Sequence, residues 1–141
     1  MPGPGFVHLH VHSAYSLLEG ALPLGKLLPL AAGDDQPALG IADTGNLFGA
    51  LEFSEKAVGK GIQPLIGVEM PIDFGDSDER ARDRLGGKSS IVLMTMNEAG
   101  FSNLSRIVSH AYLEGEGGRA VAPLSWLVDG DTDGLICLSG G

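Results

Sequence analysis

Phe6-Val7-His8-Leu9-His10-Val11-His12 alternates without a break. Phe6, His8, His10 and His12 fall on one side; Val7, Leu9 and Val11 fall on the other. Period-two spacing with β-branched residues predicts a strand. A His-x-His pair on a strand aims two imidazoles the same way, about 6–7 Å apart along the chain. In parallel α/β folds the functional groups gather at the carboxyl ends of strands. The end of this segment is therefore the first place to look for chemistry.

Working outward, residues 26–32 predict a short helix stopped by Gly33, although Pro29 lies inside it. Residues 38–42 are a short apolar run, a second strand that ends in Asp43-Thr44-Gly45-Asn46. Leu47, Ala50, Leu51, Ser54 and Val58 recur at three- and four-residue intervals and predict an amphipathic helix over 47–59. Residues 63–70 predict a third strand, and 73–88 a polar surface loop. Residues 90–96 predict a fourth strand. Asn97 is the expected N-cap of a helix over 98–113. A glycine-rich loop over 115–123, a helical turn at 125–128 and a last strand over 134–139 complete the order. Strands alternating with helices predict an α/β fold with a largely parallel sheet and right-handed crossovers. No helix follows the last strand, so the chain reads as part of a longer polypeptide.

The 141 residues suit one domain. Lys and Arg number 9 against 18 Asp and Glu, a net charge of −9. Phosphate binding draws on Lys and Arg, so this segment is poorly equipped to grip nucleic acid by itself. Hydrophobic residues make up 43% and charged residues 19%, which fits a packed core rather than disorder. A single cysteine, Cys137, excludes an internal disulfide framework and points to a reducing compartment. The start has neither the basic nor the apolar region of a secretory signal, and no apolar run is long enough to span a bilayer. The expectation is a cytoplasmic chain with no membrane partner.

His10 and His12 end the first predicted strand, Asp43 ends the second, and Glu69 nearly ends the third. Two imidazole nitrogens can share a metal or flank a dinuclear centre, with Asp and Glu bridging. His8 continues the same stripe one step deeper. Buried histidines bonded to carboxylates also hold cores together, so spacing alone leaves both readings open.

The run from Phe6 to Ala21, Phe-Val-His-Leu-His-Val-His-Ser-Ala-Tyr-Ser-Leu-Leu-Glu-Gly-Ala, resembles the opening motif of the PHP (polymerase and histidinol phosphatase) domain. More narrowly, it is similar to the PHP domain at the amino-terminal end of the bacterial replicative DNA polymerase III alpha subunit. Residues 42–53, from Ala-Asp-Thr-Gly-Asn-Leu-Phe-Gly onward, resemble the second motif. Residues 61–69 (Gly-Ile-Gln-Pro-Leu-Ile-Gly-Val-Glu) resemble the third. Residues 97–104 and 134–141 match later blocks in order. The resemblance covers nearly the whole chain, with 73–88 the least characteristic part.

The resemblance implies part of a distorted (βα)7 TIM-like barrel, with residues 1–141 the N-terminal portion of a PHP domain in a much longer polymerase chain. The parent would be a DNA-directed DNA polymerase, a nucleotidyltransferase whose magnesium-binding carboxylates lie outside this segment. In metal-loaded family members a cluster, often zinc, supports phosphoester hydrolysis, including 3′–5′ proofreading. The matched positions here are His10, His12, Glu19, Asp43 and Glu69. Three departures stand out. Thr44 replaces the histidine of Asp-His-Gly, Ser89 and Ser90 stand where a histidine often precedes the strand, and Gly141 replaces the cysteine of Leu-Ser-Gly-Cys.

Hydroxyls or nothing cannot match a nitrogen or sulfur bond to a borderline-soft zinc. The expectation is therefore a degenerate site, vestigial or partial, with zinc or manganese at most as a residual ion. No catalytic residues are assigned. The domain would serve DNA replication as a scaffold that docks the proofreading exonuclease subunit and the rest of the polymerase III holoenzyme. DNA would be bound through other domains of the parent. An active metal-dependent phosphoesterase or 3′–5′ exonuclease is the competing expectation, and self-association of the chain is a further one.

Other features read more plainly. Residues 129–134 imitate half of a calcium loop, but position twelve is Gly140, and a solvated acidic turn is expected. Tyr15 is read as a half-buried aromatic beside the first strand. His110 complements the carboxyl end of its helix, Trp126 is an apolar anchor or partner contact, and Cys137 is expected to be buried. Gly117-Gly118 does not continue into a phosphate loop.

Overall fold

A computed structural model describes residues 5–75, 89–115 and 120–139. The chain divides into two compact units, Met1–Val68 and Glu69–Gly141. Residues 76–88 of the expected polar loop, 116–119 of the expected glycine-rich loop and 140–141 of the last matched block lie outside the described residues.

The first unit holds helix α1 (Leu24–Gly33), strand β1 (Ala38–Thr44), helix α2 (Ala50–Val58) and the first part of strand β2 (Gln63–Asp73). Helix α1 is longer than expected and runs through Pro29. It does so because four apolar residues, Leu24, Leu27, Leu28 and Ala31, bury on one face. Burial of that stripe offsets the missing proline hydrogen bond. Phe53 and Ala57 of α2 and Leu39 and Ile41 of β1 close the same core. Helix α2 begins three residues later than the periodicity predicts, because residues 48–49 make a turn ahead of it.

The segment 6–12 is not a ladder strand. Among the described residues it forms one isolated parallel bridge, Val11 with Ile41. Val11 N–H donates to the Gly40 carbonyl at 3.2 Å, Ala42 N–H to the Val11 carbonyl at 2.9 Å, and Gly40 N–H to the His8 carbonyl at 2.7 Å. The approach is close because residue 40 has no side chain. A Cβ there would stand 2.6 Å from the Leu9 carbonyl oxygen.

The second unit holds the rest of β2, strand β3 (Ser90–Thr95), helix α3 (Glu98–Glu114), the two-residue strand β4 (Ala122–Pro123), the short helix α4 (Ser125–Val128) and strand β5 (Leu135–Leu138). Asn97 caps α3 as expected, its side chain accepting from Gly100 N–H at 2.9 Å. Leu104, Ile107, Val108 and Ala111 bury the inner face of α3, and Val92, Leu93 and Met94 are buried on β3.

The sheet order is β1-β2-β3-β5, with β4 on β2. Strand β4 is parallel to β2, Ile72 opposite Ala122, and lies where only loop was expected. Strand β5 is antiparallel to β3, with Val92 opposite Leu138 and Thr95 opposite Leu135. The sheet is therefore mixed, not largely parallel. The reversal follows from where the chain enters β5. Met96 N–H donates to the Gly134 carbonyl at 2.8 Å, so β5 begins beside the carboxyl end of β3 and can only run back along it. No helix among the described residues is long and apolar enough to cross a membrane.

Candidate metal centre

His10 and His12 leave the segment that runs beside β1, and their Nε2 atoms stand 3.2 Å apart. The rings meet edge to face, with centroids 5.0 Å apart and planes at 70°. Glu69 follows Val68 on the unbroken strand β2. One donor atom each from His10, His12 and Glu69 lies within 4.8 Å of the others, and all three residues are half-buried. Two nitrogens on one tetrahedral zinc, with bonds of about 2.0–2.1 Å, stand about 3.3–3.4 Å apart. The imidazole spacing fits that edge.

Asp43 is not in this group. It is 2% exposed and serves the loop that follows His12. Its Oδ1 accepts from Ser13 N–H at 2.7 Å and from the Ser16 hydroxyl at 2.6 Å, and its Oδ2 accepts from the Ser13 hydroxyl at 2.7 Å. Ser16 Oγ in turn accepts from Thr44 N–H at 3.1 Å. A buried carboxylate needs such donors, and here they come from one tight loop.

Glu19 lies on the other side of His12. Its Oε2 stands 3.9 Å from His12 Nδ1 and accepts from the Thr44 hydroxyl at 2.5 Å. The turn that returns it there is built from Ser16 N–H to the Ser13 carbonyl and Gly20 N–H to the Ser16 carbonyl. At position 20 a Cβ would overlap the Ser13 carbonyl, so glycine is required. Leu18 takes a left-handed φ of 69° in the same turn.

Two of the substituted positions, Thr44 and Ser90, make hydrogen bonds. Ser90 Oγ, where a histidine was expected to be lost, donates to Glu69 Oε1 at 2.6 Å. The roles of Ser13, Ser16 and Ser90 were missed in the sequence; the spacing of hydroxyls in His-Ser-Ala-Tyr-Ser was the one available signal. His8 is exposed and stacks edge-on against Phe6, 4.7 Å between centroids, so the stripe does not extend to it. Tyr15 is at the surface, its hydroxyl donating to Glu52 Oε2 at 2.9 Å.

In the second unit His110 lies edge-on to Trp126, with 5.6 Å between centroids. The acidic turn is tied back to α3: Asn103 Nδ2 donates to the Asp133 carbonyl at 3.0 Å, and Arg106 lies 3.9 Å from Asp131. Cys137 is exposed, against the expectation of burial. Strand β5 pairs only with β3 among the described residues, and an edge strand leaves its side chains less covered than a central one.

The PHP domain family matches residues 8–141, and the chain belongs to that family. Within it, the chain is similar to a particular polymerase subunit. DNA polymerase III subunit alpha of Caulobacter vibrioides is 45% identical over 143 residues, covering 99% of this chain. The protein of that name from Escherichia coli K12 is 37% identical over 144 residues, covering the whole chain. The chain spans 12% of the length of each of these relatives.

Two solved structures share the fold. An amidohydrolase from Chromobacterium violaceum, with sulfate bound and no metal, superposes with a TM-score of 0.55 at 23% identity, over 76% of this chain and 33% of its own. A Bifidobacterium adolescentis protein named for metal-dependent phosphoesterase activity gives a TM-score of 0.52 at 18% identity, over 80% of this chain and 36% of its own.

Proposed function

We propose that this chain is the PHP segment of a DNA polymerase III alpha-type subunit and serves DNA replication as a scaffold rather than as a hydrolase. The observation that carries this reading is the donor count. Among the described residues three groups converge, His10, His12 and Glu69. Asp43 and Glu19 are not part of that group; Asp43 lies buried on Ser13 and Ser16, and Glu19 is held by Thr44. Three donors suit one zinc or manganese ion, and a dinuclear or trinuclear cluster needs more. Such an ion, when bound, supplies Lewis acidity toward a phosphate oxygen or a bound water. His10 and His12 would hold it through Nε2, and Ser90 would fix the Glu69 carboxylate. Docking of a proofreading exonuclease subunit, a barrel completed by further residues, and a cytoplasmic location belong to the same proposal. The family match and the similarity to replicative polymerase subunits support them.

Elemental analysis of the purified chain, with a phosphodiesterase assay in added zinc and manganese, tests the reading. At most one ion per chain and no turnover are expected. Two or more tightly held ions, with turnover abolished by His10→Ala, would overturn it in favour of the phosphoesterase. Retention of the proofreading subunit in a pull-down is the expected result for docking, and no retention counts against docking through this segment.

A further inference from the structure

The turn at 13–20 is tied onto the passage from β1 into α2. Thr44 N–H donates to Ser16 Oγ at 3.1 Å, Asn46 Nδ2 to the Tyr15 carbonyl at 3.2 Å, and the Tyr15 hydroxyl to Glu52 Oε2 at 2.9 Å. The Tyr15 ring lies against Gly49, where a Cβ would stand 2.9 Å from it. Turn and helix start therefore form one surface. Its outward side chains are apolar: Leu17 and Leu18 from the turn, Phe48 ahead of α2, and Leu51 and Val58 on α2, all exposed. Leu51 and Val58 share one face of the helix, about two turns apart, while Phe53 and Ala57 bury the opposite face.

Leu18 takes a φ of 69°, a left-handed value that costs a bulky residue and costs glycine nothing. Its side chain stands in solvent, so burial within the first unit does not repay that conformation. Strain of this kind collects where a chain grips a partner. Charge says which partner. Glu19 follows Leu18, Glu52 follows Leu51, and Glu55 stands one turn beyond, with Lys56 paired to Glu52. On a chain of net charge −9, such a rim disfavours DNA, anionic lipid and a second copy, and favours a cationic polypeptide.

We propose that the Leu17–Leu18 turn and the outer face of α2 form a docking surface for a basic amphipathic helix of a partner protein. The helix covers Leu17, Leu18, Phe48 and Leu51 with its apolar side, and its lysines or arginines meet Glu52 and Glu55. This inference rests on the scaffold reading above and deepens it. Self-association through the same face is the weaker contact, because it sets like charges together.

The test is fluorescence anisotropy of a labelled helical peptide, leucine on one face and lysine on the other, titrated with the whole 141-residue chain. Binding is expected, and it should fall as salt is added. The same peptide with glutamate for lysine should not bind. Leu18→Gly removes the side chain and accepts the left-handed φ, so urea unfolding should show stability kept or raised while peptide affinity falls about tenfold or more. Glu55→Gln should weaken the peptide and flatten its salt dependence. Leu113→Ser, equally exposed but in the second unit, should change nothing.

No binding of the lysine peptide overturns the proposal, as does affinity unmoved by Leu18→Gly. Equal binding of the glutamate peptide overturns it by removing the charge selection. Self-association that salt strengthens, with no peptide bound, gives the face to a second copy instead. Peptide binding is read without metal, so its failure is distinguishable from the ion count and turnover that would overturn the scaffold reading.

Discussion

At the scale of single residues, Tyr15 and Glu52 form a pair whose titration is directly measurable. The Tyr15 hydroxyl donates to the Glu52 carboxylate, and Lys56 pairs with the same carboxylate from one helical turn on. The hydrogen bond to Glu52, with its negative charge, raises the phenol above its ordinary value. The hydrogen bond from Lys56, then that from Tyr15, lowers the Glu52 carboxyl. The signs follow from which form is favoured. A lowered carboxyl contributes stability above its unfolded value and loses it as pH falls through the folded value. A raised phenol contributes below its unfolded value and loses it as pH rises through the folded one. Both groups are at the surface, so the effect belongs to titration curves more than to unfolding. In a Tyr112→Phe background, ultraviolet titration should place the Tyr15 midpoint above the ordinary phenol value of about 10. Glu52→Gln should bring it back, and an unmoved midpoint would remove Glu52 as the cause.

At the scale of elements, two glycines make opposite demands. Gly40 lets the 8–11 segment lie against β1, and a Cβ there meets the Leu9 backbone at 2.6 Å from its oxygen and 2.9 Å from its Cα. Backbone cannot yield as a flexible side chain does, so Gly40→Ala should cost about 2 kcal/mol or more. It should also weaken metal binding, because the same segment carries His10 and His12. Gly25 lies in α1 with nothing within 4 Å of a Cβ. Gly25→Ala should therefore stabilise by about 0.5–1 kcal/mol. Urea unfolding of the two variants checks both signs, and equal effects would show that the close approach at Gly40 is not strained. Elements were legible unevenly in the sequence. The cap at Asn97 and the helix it opens were plain because a cap is a local signal. The Phe6–His12 alternation was equally plain, yet it reports which side each residue faces and not how many ladder bonds it makes. One bridge sufficed for the fold, because hydrogen bonds at 8, 11, 40 and 42 already seat the segment.

At the scale of the whole molecule, apolar side chains stand in water. In the first unit Leu17 is 81% exposed, Leu18 fully so, Phe48 69% and Leu51 73%. Large exposed apolar groups at this density mark surfaces that associate. Sedimentation should show a mass that rises with concentration, and Leu17→Ser with Leu18→Ser should lower it. Monomer alone across a wide concentration range would refute self-association. The net charge of −9 opposes that association at low ionic strength, so added salt should strengthen it.

The alternation of Phe6 to His12 by itself determined that His10 and His12 share a side, and the ordered motifs determined the family. Local rules suffice for these, since neighbours in sequence set which way a side chain leaves the backbone. The tertiary structure alone decided that β5 runs antiparallel, that Cys137 faces solvent, and that Asp43 and Glu19 attend to hydroxyls while Glu69 joins the imidazoles. The strand direction and the exposure of Cys137 depend on where β5 joins the sheet, and the carboxylates' roles on which distant donors reach them. Ser13, Ser16 and Thr44 stand within hydrogen-bond reach only once the turn at 13–20 has closed against β1.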